Sequence, residues 1–109
     1  MTKKERFLEM LKDPEGLYLR EGVRDFKDII FKKMFNYTAE YVPRFPMRPQ
    51  SEKVYVITVQ TDDQDALQDL DKDFVLCFAN VMHRAWIQPM QHSDTFERRF
   101  ILNKHKERG

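Results

Sequence analysis

The sequence has little cysteine, little glycine and no long hydrophobic run, and each shortage excludes a class of protein. Cys77 is the single cysteine, so no disulfide can form within the chain and we expect a reducing compartment. Three glycines exclude a glycine-rich phosphate-binding loop and disfavour an all-β fold with many tight hairpins. The longest apolar run, residues 74–79, falls far short of the roughly 18 residues that a membrane-spanning helix needs.

The composition favours one folded domain in the cytoplasm. The charged N-terminus lacks the continuous apolar segment of a signal peptide. Nine Phe, four Tyr and one Trp supply large side chains for a core, so a disordered chain is excluded, and 109 residues suit a single core. We expect a domain over residues 1–104, followed by a mobile basic tail at 105–109.

The N-terminal half predicts two helices. Thr2 and Glu5 match a capping box that opens a first helix, and the Asp-Pro-Glu-Gly stretch at residues 13–16 should end that helix. Residues 17–20 alternate briefly and suggest a short strand. A second helix is predicted over 22–42, because its apolar residues recur at spacings of three and four. Its apolar surface covers more than half its circumference, which suits either a central helix packed on both sides or an interface for a partner.

The C-terminal half predicts two firm strands and one long helix. Three prolines in residues 43–49 predict a rigid connector rather than a ligand for a proline-recognising domain. Residues 53–60 and 95–104 are rich in β-branched and aromatic side chains and predict strands. Between them, an apolar stripe at helical spacing predicts a third helix over 62–87.

These elements predict an α+β fold, with about three helices packed on a two- to three-stranded, mainly antiparallel sheet. The expected order is roughly α-(β)-α-β-α-β, with the weak strand at 17–20 in parentheses. Two strands alone form a poor sheet, so either that weak strand or a second chain should complete it. Self-association through the second helix or a strand edge is therefore a further expectation.

An acidic segment is the most unusual feature of this nearly neutral chain. Residues 61–73 contain six aspartates and one lysine, whereas the formal net charge of the whole chain is +1. On the predicted third helix, four of these aspartates recur at spacings of three and four and form one polar stripe. Acidic groups are stabilised by a helix N-terminus only within the first turn. This effect therefore does not explain why the later aspartates of the stripe are there. We expect this stripe to be either a solvated face or a docking surface for a basic partner protein: Asp62, Asp65, Asp69 and Asp73.

Basic residues interleaved with aromatic ones provide the alternative, a nucleic-acid-binding surface. Single-strand binders combine such cations with rings on which bases stack, although a sequence pI of about 7.9 lies below the range of dedicated binders. The candidate residues are Lys32, Lys33, Arg44, Arg48, Arg98, Arg99, Lys104 and Lys106.

Catalytic and metal-binding patterns are weak. An EF-hand-like spacing at residues 69–73 lacks the glycine and the bidentate glutamate that a calcium loop requires, and no zinc-type spacing of Cys and His occurs. Cys77 lies on the predicted buried face, some 120° around the helix from His83, so the two do not form a dyad. We expect no cofactor and no resident metal. A divalent-metal-dependent enzyme or metal-binding protein using the aspartate stripe is the second alternative.

The sequence therefore predicts a small, non-enzymatic cytoplasmic protein that acts by binding another protein, as a regulator, inhibitor or assembly subunit. Its size, few glycines and charged surface would suit a phage or mobile-element accessory protein. A homodimer is also compatible with the over-apolar second helix.

Overall fold

Helices and strands follow one another in the order α-α-β-β-α-β-β in the computed structural model, which describes residues 2–104. A short 3₁₀ helix precedes the third strand. The elements are α1 (Lys3–Lys12), α2 (Pro14–Lys32), β1 (Tyr37–Pro43), β2 (Lys53–Thr61), α3 (Gln64–Cys77), the 3₁₀ helix Ala79–Arg84, β3 (Ala85–Gln91) and β4 (Phe96–Asn103).

The strands form one antiparallel sheet in the order β1-β2-β4-β3. Tyr55 of β2 lies opposite Tyr41 of β1 and Leu102 of β4, and Leu102 lies opposite Ala85 of β3. The predicted α+β class is confirmed, but the sheet has four strands rather than two or three. Because β1 and β3 complete it from within the chain, neither a strand at 17–20 nor a second chain is needed.

The helices cover one face of the sheet. Phe26 of α2 and Phe74 of α3 are fully buried against Phe100 of β4, with ring centroids 4.8–5.3 Å apart. Side chains that alternate with this set point to the opposite face and form a second, smaller cluster around Val54, Val56 and Ile101. The main cluster contains Leu19, Phe26, Ile30, Tyr55, Ile57, Val59, Leu67, Leu70, Phe74, Phe78, Val81, Ala85, Phe100 and Leu102.

The predicted first helix and its end are confirmed. The Glu5 N–H donates to Thr2 Oγ1 at 3.2 Å, as the capping box requires. Asp13 ends α1 and at the same time begins α2, because its Oδ1 accepts the Gly16 N–H at 3.0 Å and Pro14 occupies the first helical position. The predicted strand at 17–20 is wrong, since this segment is helical.

The predicted second helix is wrong at both ends. It begins eight residues earlier, at Pro14, and ends at Lys32. Met34 adopts φ 62° after the helix, and the Phe35 N–H donates to the Ile30 carbonyl at 3.1 Å, which forms a Schellman motif. Residues 37–43 then form β1 instead of continuing the helix. A spacing of four between Tyr37 and Tyr41 fits a strand as well as a helix, so the periodicity misled the prediction.

The predicted third helix is correct only as far as Cys77. Val81 has φ −136° inside the following 3₁₀ segment, which ends the helical path, and residues 85–91 form β3. Apolar residues at positions 78, 81 and 85 are spaced as they would be on a helix, but this is a coincidence. They are buried by the 3₁₀ segment and by the start of β3, not by a continuing α-helix. The two firm strands, predicted at 53–60 and 95–104, are confirmed as β2 and β4.

Gly22 allows α2 to approach α3 closely. A Cβ at this position would lie 2.6 Å from Cε1 of Phe78 and 2.8 Å from the Cys77 carbonyl oxygen. One of these contacts is with backbone, which cannot rotate away as a flexible side chain can. The absence of a side chain at Gly22 therefore sets the distance between the two helices.

Gly22→Ala is expected to lower the free energy of unfolding. Overpacking of a core costs roughly 1–3 kcal/mol, which exceeds the roughly 0.5–1 kcal/mol that alanine gains over glycine in a helix. Urea denaturation would measure the change. Glu21→Ala, on the exposed side of α2, is the control and should change stability little; an equally stable Gly22→Ala variant would contradict the close approach.

Met34→Gly is expected to raise the free energy of unfolding by up to about 1 kcal/mol. A left-handed conformation costs a side-chain-bearing residue about 1–2 kcal/mol, and glycine avoids this cost while losing about 0.5–1 kcal/mol through backbone entropy. The Met34 side chain is 89% exposed, so its removal loses little packing. Met47→Gly is the matched control, because Met47 is also exposed and has no positive φ; stabilisation by both substitutions would contradict the explanation.

Candidate functional site

The face of the sheet opposite the helices carries an apolar floor. Val42, Val54 and Val56 of the first two strands lie beside Ile101 of β4 and Trp86 of β3 on this face. Val54 is only 3% exposed and Ile101 only 7%, although the helices lie on the other side. The sheet is therefore apolar on both faces, and something other than a helix shields the second one.

The loop between β1 and β2 provides that shield at one end of the face. The Arg44 N–H donates to the Glu52 carbonyl at 2.7 Å, which keeps the start of the loop paired with its end. The Arg44 guanidinium lies 5.4 Å from the Phe45 ring centroid and 5.5 Å from that of Trp86. These cation–π contacts connect the loop to the far edge strand and place Phe45 and Pro46 at the border of the floor.

A groove of about 820 Å³ remains between this loop and the sheet. Ligand pockets typically measure about 300–1,000 Å³ and combine an apolar lining with a few placed polar groups. Here the apolar end consists of the valines, Ile101, Trp86 and Phe45, and the other end is polar. The polar lining residues are Glu40, Arg44, Thr58, Gln88 and Arg99.

Arg99 is held in place at the polar end. Its Nε donates to Glu97 Oε2 at 2.9 Å, and Gln60 Nε2 donates to the other carboxylate oxygen at 2.6 Å. Burial by itself would raise the pKa of Glu97, but the Gln60 hydrogen bond and the Arg99 charge outweigh it and lower the pKa. Glu97 therefore stays ionised at neutral pH and holds the guanidinium that faces the groove.

The predicted aspartate stripe is divided among different environments. Asp62 precedes α3 and is not part of its surface, so the predicted four-residue helical stripe is wrong at this position; Asp63 caps the helix by accepting the Ala66 N–H. Asp73 packs toward α2, where its carboxylate lies 2.8 Å from Lys33 Nζ. Asp65 and Asp69 are exposed on α3.

Most of the predicted basic residues lie away from the groove. Lys32 pairs with Asp28 on α2, and Arg98 pairs with Asp71 of α3 at 3.2 Å. Burial raises the pKa of Asp71 despite the neighbouring guanidinium. The placement of the remaining candidates is as follows: Lys33 pairs with Asp73, Arg44 and Arg99 line the groove, Arg48 is exposed in the β1–β2 loop, Lys104 contacts two tyrosine rings, and Lys106 and the predicted 105–109 tail lie outside the described residues.

Neither a metal cluster nor a membrane span is found in the part of the chain that the structure describes. No group of three His, Cys, Asp or Glu side chains within residues 2–104 is placed to hold a metal ion. The aspartates of the acidic segment therefore give the metal hypothesis no support from their geometry. Among the same residues, no helix is both long and apolar enough to cross a membrane.

Comparison of the chain with protein-family models, with curated proteins and with solved structures found no match.

The sequence prediction missed the groove because it placed Trp86 in a helix. One signal for the groove was present, since the nearly continuous apolar character of residues 53–60 indicated a strand buried on both faces. What covers the second face depends on how the loop at 44–52 folds back, and Arg44 contributes to this through the Trp86 ring, which is distant in sequence.

Cys77 is half-buried and its thiol is deactivated. Burial, followed by the negative charges of Asp25 and Asp73, raises the pKa of Cys77 to about 11 from an ordinary 9.0. Because the thiolate is the reactive form, this environment favours an inert thiol over a nucleophile.

Alkylation of Cys77 by iodoacetamide at pH 8 should accordingly be slow. A rise of two pKa units reduces the thiolate fraction roughly 100-fold at this pH, so the rate should be lower by a similar factor than that of the same protein unfolded in urea. Mass spectrometry of the modified protein would follow the reaction. In the folded protein the rate should keep rising up to about pH 11; a plateau below pH 9 would show that the thiol is not protected.

Proposed function

We propose that this protein acts by binding, and that its ligand is a segment of another protein held in the groove on the open face of the sheet. The observation that supports the proposal is the groove itself, with an aliphatic floor at one end and Thr58, Gln88 and Arg99 at the other. A peptide matches this division, because it presents apolar side chains and backbone hydrogen-bonding groups side by side. A regulator, inhibitor or assembly subunit would use such a site.

The lining favours a peptide over a nucleic acid. The floor is formed by Val54, Val56 and Ile101, which fit aliphatic or aromatic side chains better than they fit stacked bases. The two guanidinium groups at the groove are already engaged, Arg44 with the Trp86 and Phe45 rings and Arg99 with Glu97. Phosphates would therefore have to compete with existing partners for these cations.

The docking role predicted for the aspartate stripe remains a separate proposal, and it now involves fewer residues of the stripe. Asp65 and Asp69 are the stripe positions that lie exposed on α3, whereas Asp73 contributes to a contact between two helices. A basic partner would meet about half of the predicted charge on that helix face. The groove offers shape and apolar contact in addition to charge, which is why it supports the function better.

Trp86 is the single tryptophan of the chain, so its fluorescence reports directly on the groove. Peptides selected from a displayed random library are expected to carry a large apolar residue and to change the Trp86 emission on binding. Phe45→Ala should weaken them roughly tenfold, since truncating a well-packed aromatic contact costs about 1–2 kcal/mol. Met47→Ala is the matched control: Met47 is 93% exposed, in the same loop, and does not line the groove.

Equal affinity of the selected peptides for the wild-type protein and the Phe45→Ala variant would exclude the groove as their binding site. Circular dichroism of both variants would establish that the sheet is intact before the affinities are compared.

Single-stranded nucleic acid on the same face is the second candidate, because Trp86 and Phe45 are rings on which bases could stack. Homopolymeric DNA and RNA oligonucleotides, titrated against the Trp86 emission, would test it. This function predicts quenching and an affinity that falls steeply between about 50 and 200 mM salt. No quenching at low salt would exclude it.

A further inference from the structure

The two edges of the sheet differ in their capacity to accept another strand. β3 carries Pro89 in its interior, which has no N–H and blocks an approaching strand. β1, at the opposite edge, has its only proline at its last position, Pro43. Its outer side pairs with no other strand within residues 2–104. The β1 edge is thus the one open to β-strand addition.

Two lysines lie near this open edge, on the helix-covered face: Lys104 beside β1 itself and Lys27 one strand further in, beside Tyr55 of β2. Lys104 Nζ lies 5.0 Å from the Tyr41 ring centroid and 5.7 Å from that of Tyr55, and it hydrogen-bonds to the Tyr41 hydroxyl. Lys27 Nζ of α2 lies 5.0 Å from the same Tyr55 ring. Neither lysine has a carboxylate partner within the described ranges. We call Lys27, Lys104, Tyr41 and Tyr55 the lysine–tyrosine cluster.

Exposed apolar side chains extend along the same edge. Tyr41 is 54% exposed, and Tyr37, four residues before it on the same face of β1, is 39% exposed. Phe31 and Met34, which lead from α2 into β1, are 77% and 89% exposed. Met34 keeps a bulky side chain at a left-handed position where glycine is the usual residue. An added strand would cover tyrosine rings that now face solvent.

Charge decides which occupant fits. Alternate side chains of a strand added to β1 would fall on the helix-covered face, and the one beside Tyr41 would lie next to the Lys104 ammonium group, with that of Lys27 one strand further in. A second copy of this chain fits poorly there. Its own β1 has one acid, Glu40, which lies on the opposite face with Val56, and the lysines of the two copies would approach each other.

We propose that β1 accepts an extended acidic segment of a partner protein as a fifth strand, with a carboxylate of that segment bound by Lys104 and attracted by Lys27 one strand further in. Main-chain hydrogen bonds to the β1 edge supply part of the affinity, and the lysine–tyrosine cluster selects acidic side chains at alternate positions. β1 also contributes Glu40 and Val42 to the groove, but the lysine–tyrosine cluster lies on the other, helix-covered face of the sheet, so binding there does not require the groove-based function.

A fluorescein-labelled decapeptide of alternating Glu and Thr is the probe, and fluorescence anisotropy is the measurement. The peptide should bind with an affinity that falls as salt rises, and its counterpart with Lys in place of Glu should not bind. The double variant Lys27→Gln/Lys104→Gln should weaken binding about tenfold or more. Lys72→Gln, which removes one positive charge at an exposed position of α3, should leave it within about twofold.

Backbone methylation of the probe tests strand addition without changing the protein. Two versions of the Glu/Thr peptide, N-methylated on alternate amides of one edge or of the other, differ only in which edge can donate hydrogen bonds. Only one version should retain binding. Phe45→Ala should not affect either result, so failure of the groove proposal and failure of this one are distinguishable.

Three outcomes would overturn the proposal. The first is equal affinity for the Glu and Lys peptides, and the second is binding by both methylated versions. The third is a dimer in sedimentation velocity that Tyr41→Lys dissociates, since it would show that a second copy occupies β1.

Discussion

The fold depends on the contact of Phe26 with three other phenylalanines. Its ring centroid lies 4.8 Å from that of Phe100, 5.3 Å from Phe74 and 6.3 Å from Phe78, and all four side chains are fully buried. These rings connect α2, α3 and the central strand β4 in one cluster, with the edge-to-face geometry that aromatic pairs prefer. Gly22, one turn before Phe26, leaves the space that the Phe78 ring needs. The helix layer is thereby fixed to one face of the sheet.

A single helix layer leaves the second face of the sheet and its two edges uncovered. The β1–β2 loop shields part of the second face, because Arg44 extends to Trp86, and Pro89 prevents strand addition at one edge. The groove and the β1 edge are the places where this protection is incomplete. Both candidate surfaces thus follow from the same cause, namely that the buried helix residues come from α2 and α3, which cover one face of the four-stranded sheet and leave the other face to the loop.

The fold class, the first helix and the two central strands were predictable, because local signals specify them. Capping by Thr2, the Asp13-Pro14 break and the β-branched segment at 53–60 act over a few residues. The edge strands were not predictable in this way. In β1, the spacing of Tyr37 and Tyr41 fits a helix and a strand equally. The Schellman motif at Met34 ends the helix before them, although methionine does not favour the left-handed conformation that this motif requires.

The candidate site was less predictable than the fold, since its residues meet only through tertiary structure. Arg44 and Arg99 were identified from charge and aromatic neighbours, but the ring that Arg44 contacts, Trp86, and the amide that helps to hold Glu97 beside Arg99, Gln60, come from other strands. Lys27, an essential part of the lysine–tyrosine cluster, carries no local signal at all. Sequence patterns report which side chains are basic or apolar, whereas the register of β1, β2 and β4 decides which of them share a face.

The same reasoning explains part of the acidic segment without a ligand. Of its six aspartates, Asp63 caps α3, Asp71 pairs with Arg98 of the sheet, and Asp73 pairs with Lys33, the residue that follows α2. Two of the six therefore hold α3 to its neighbours, which accounts for Asp71 and Asp73, acids too far along the helix to interact with its N-terminus. The acids of α3 are partly neutralised in this way, whereas Lys27 and Lys104 have no carboxylate partner in residues 2–104. The stronger unbalanced charge is therefore the positive charge near the β1 edge. A count of charges along the sequence did not reveal it.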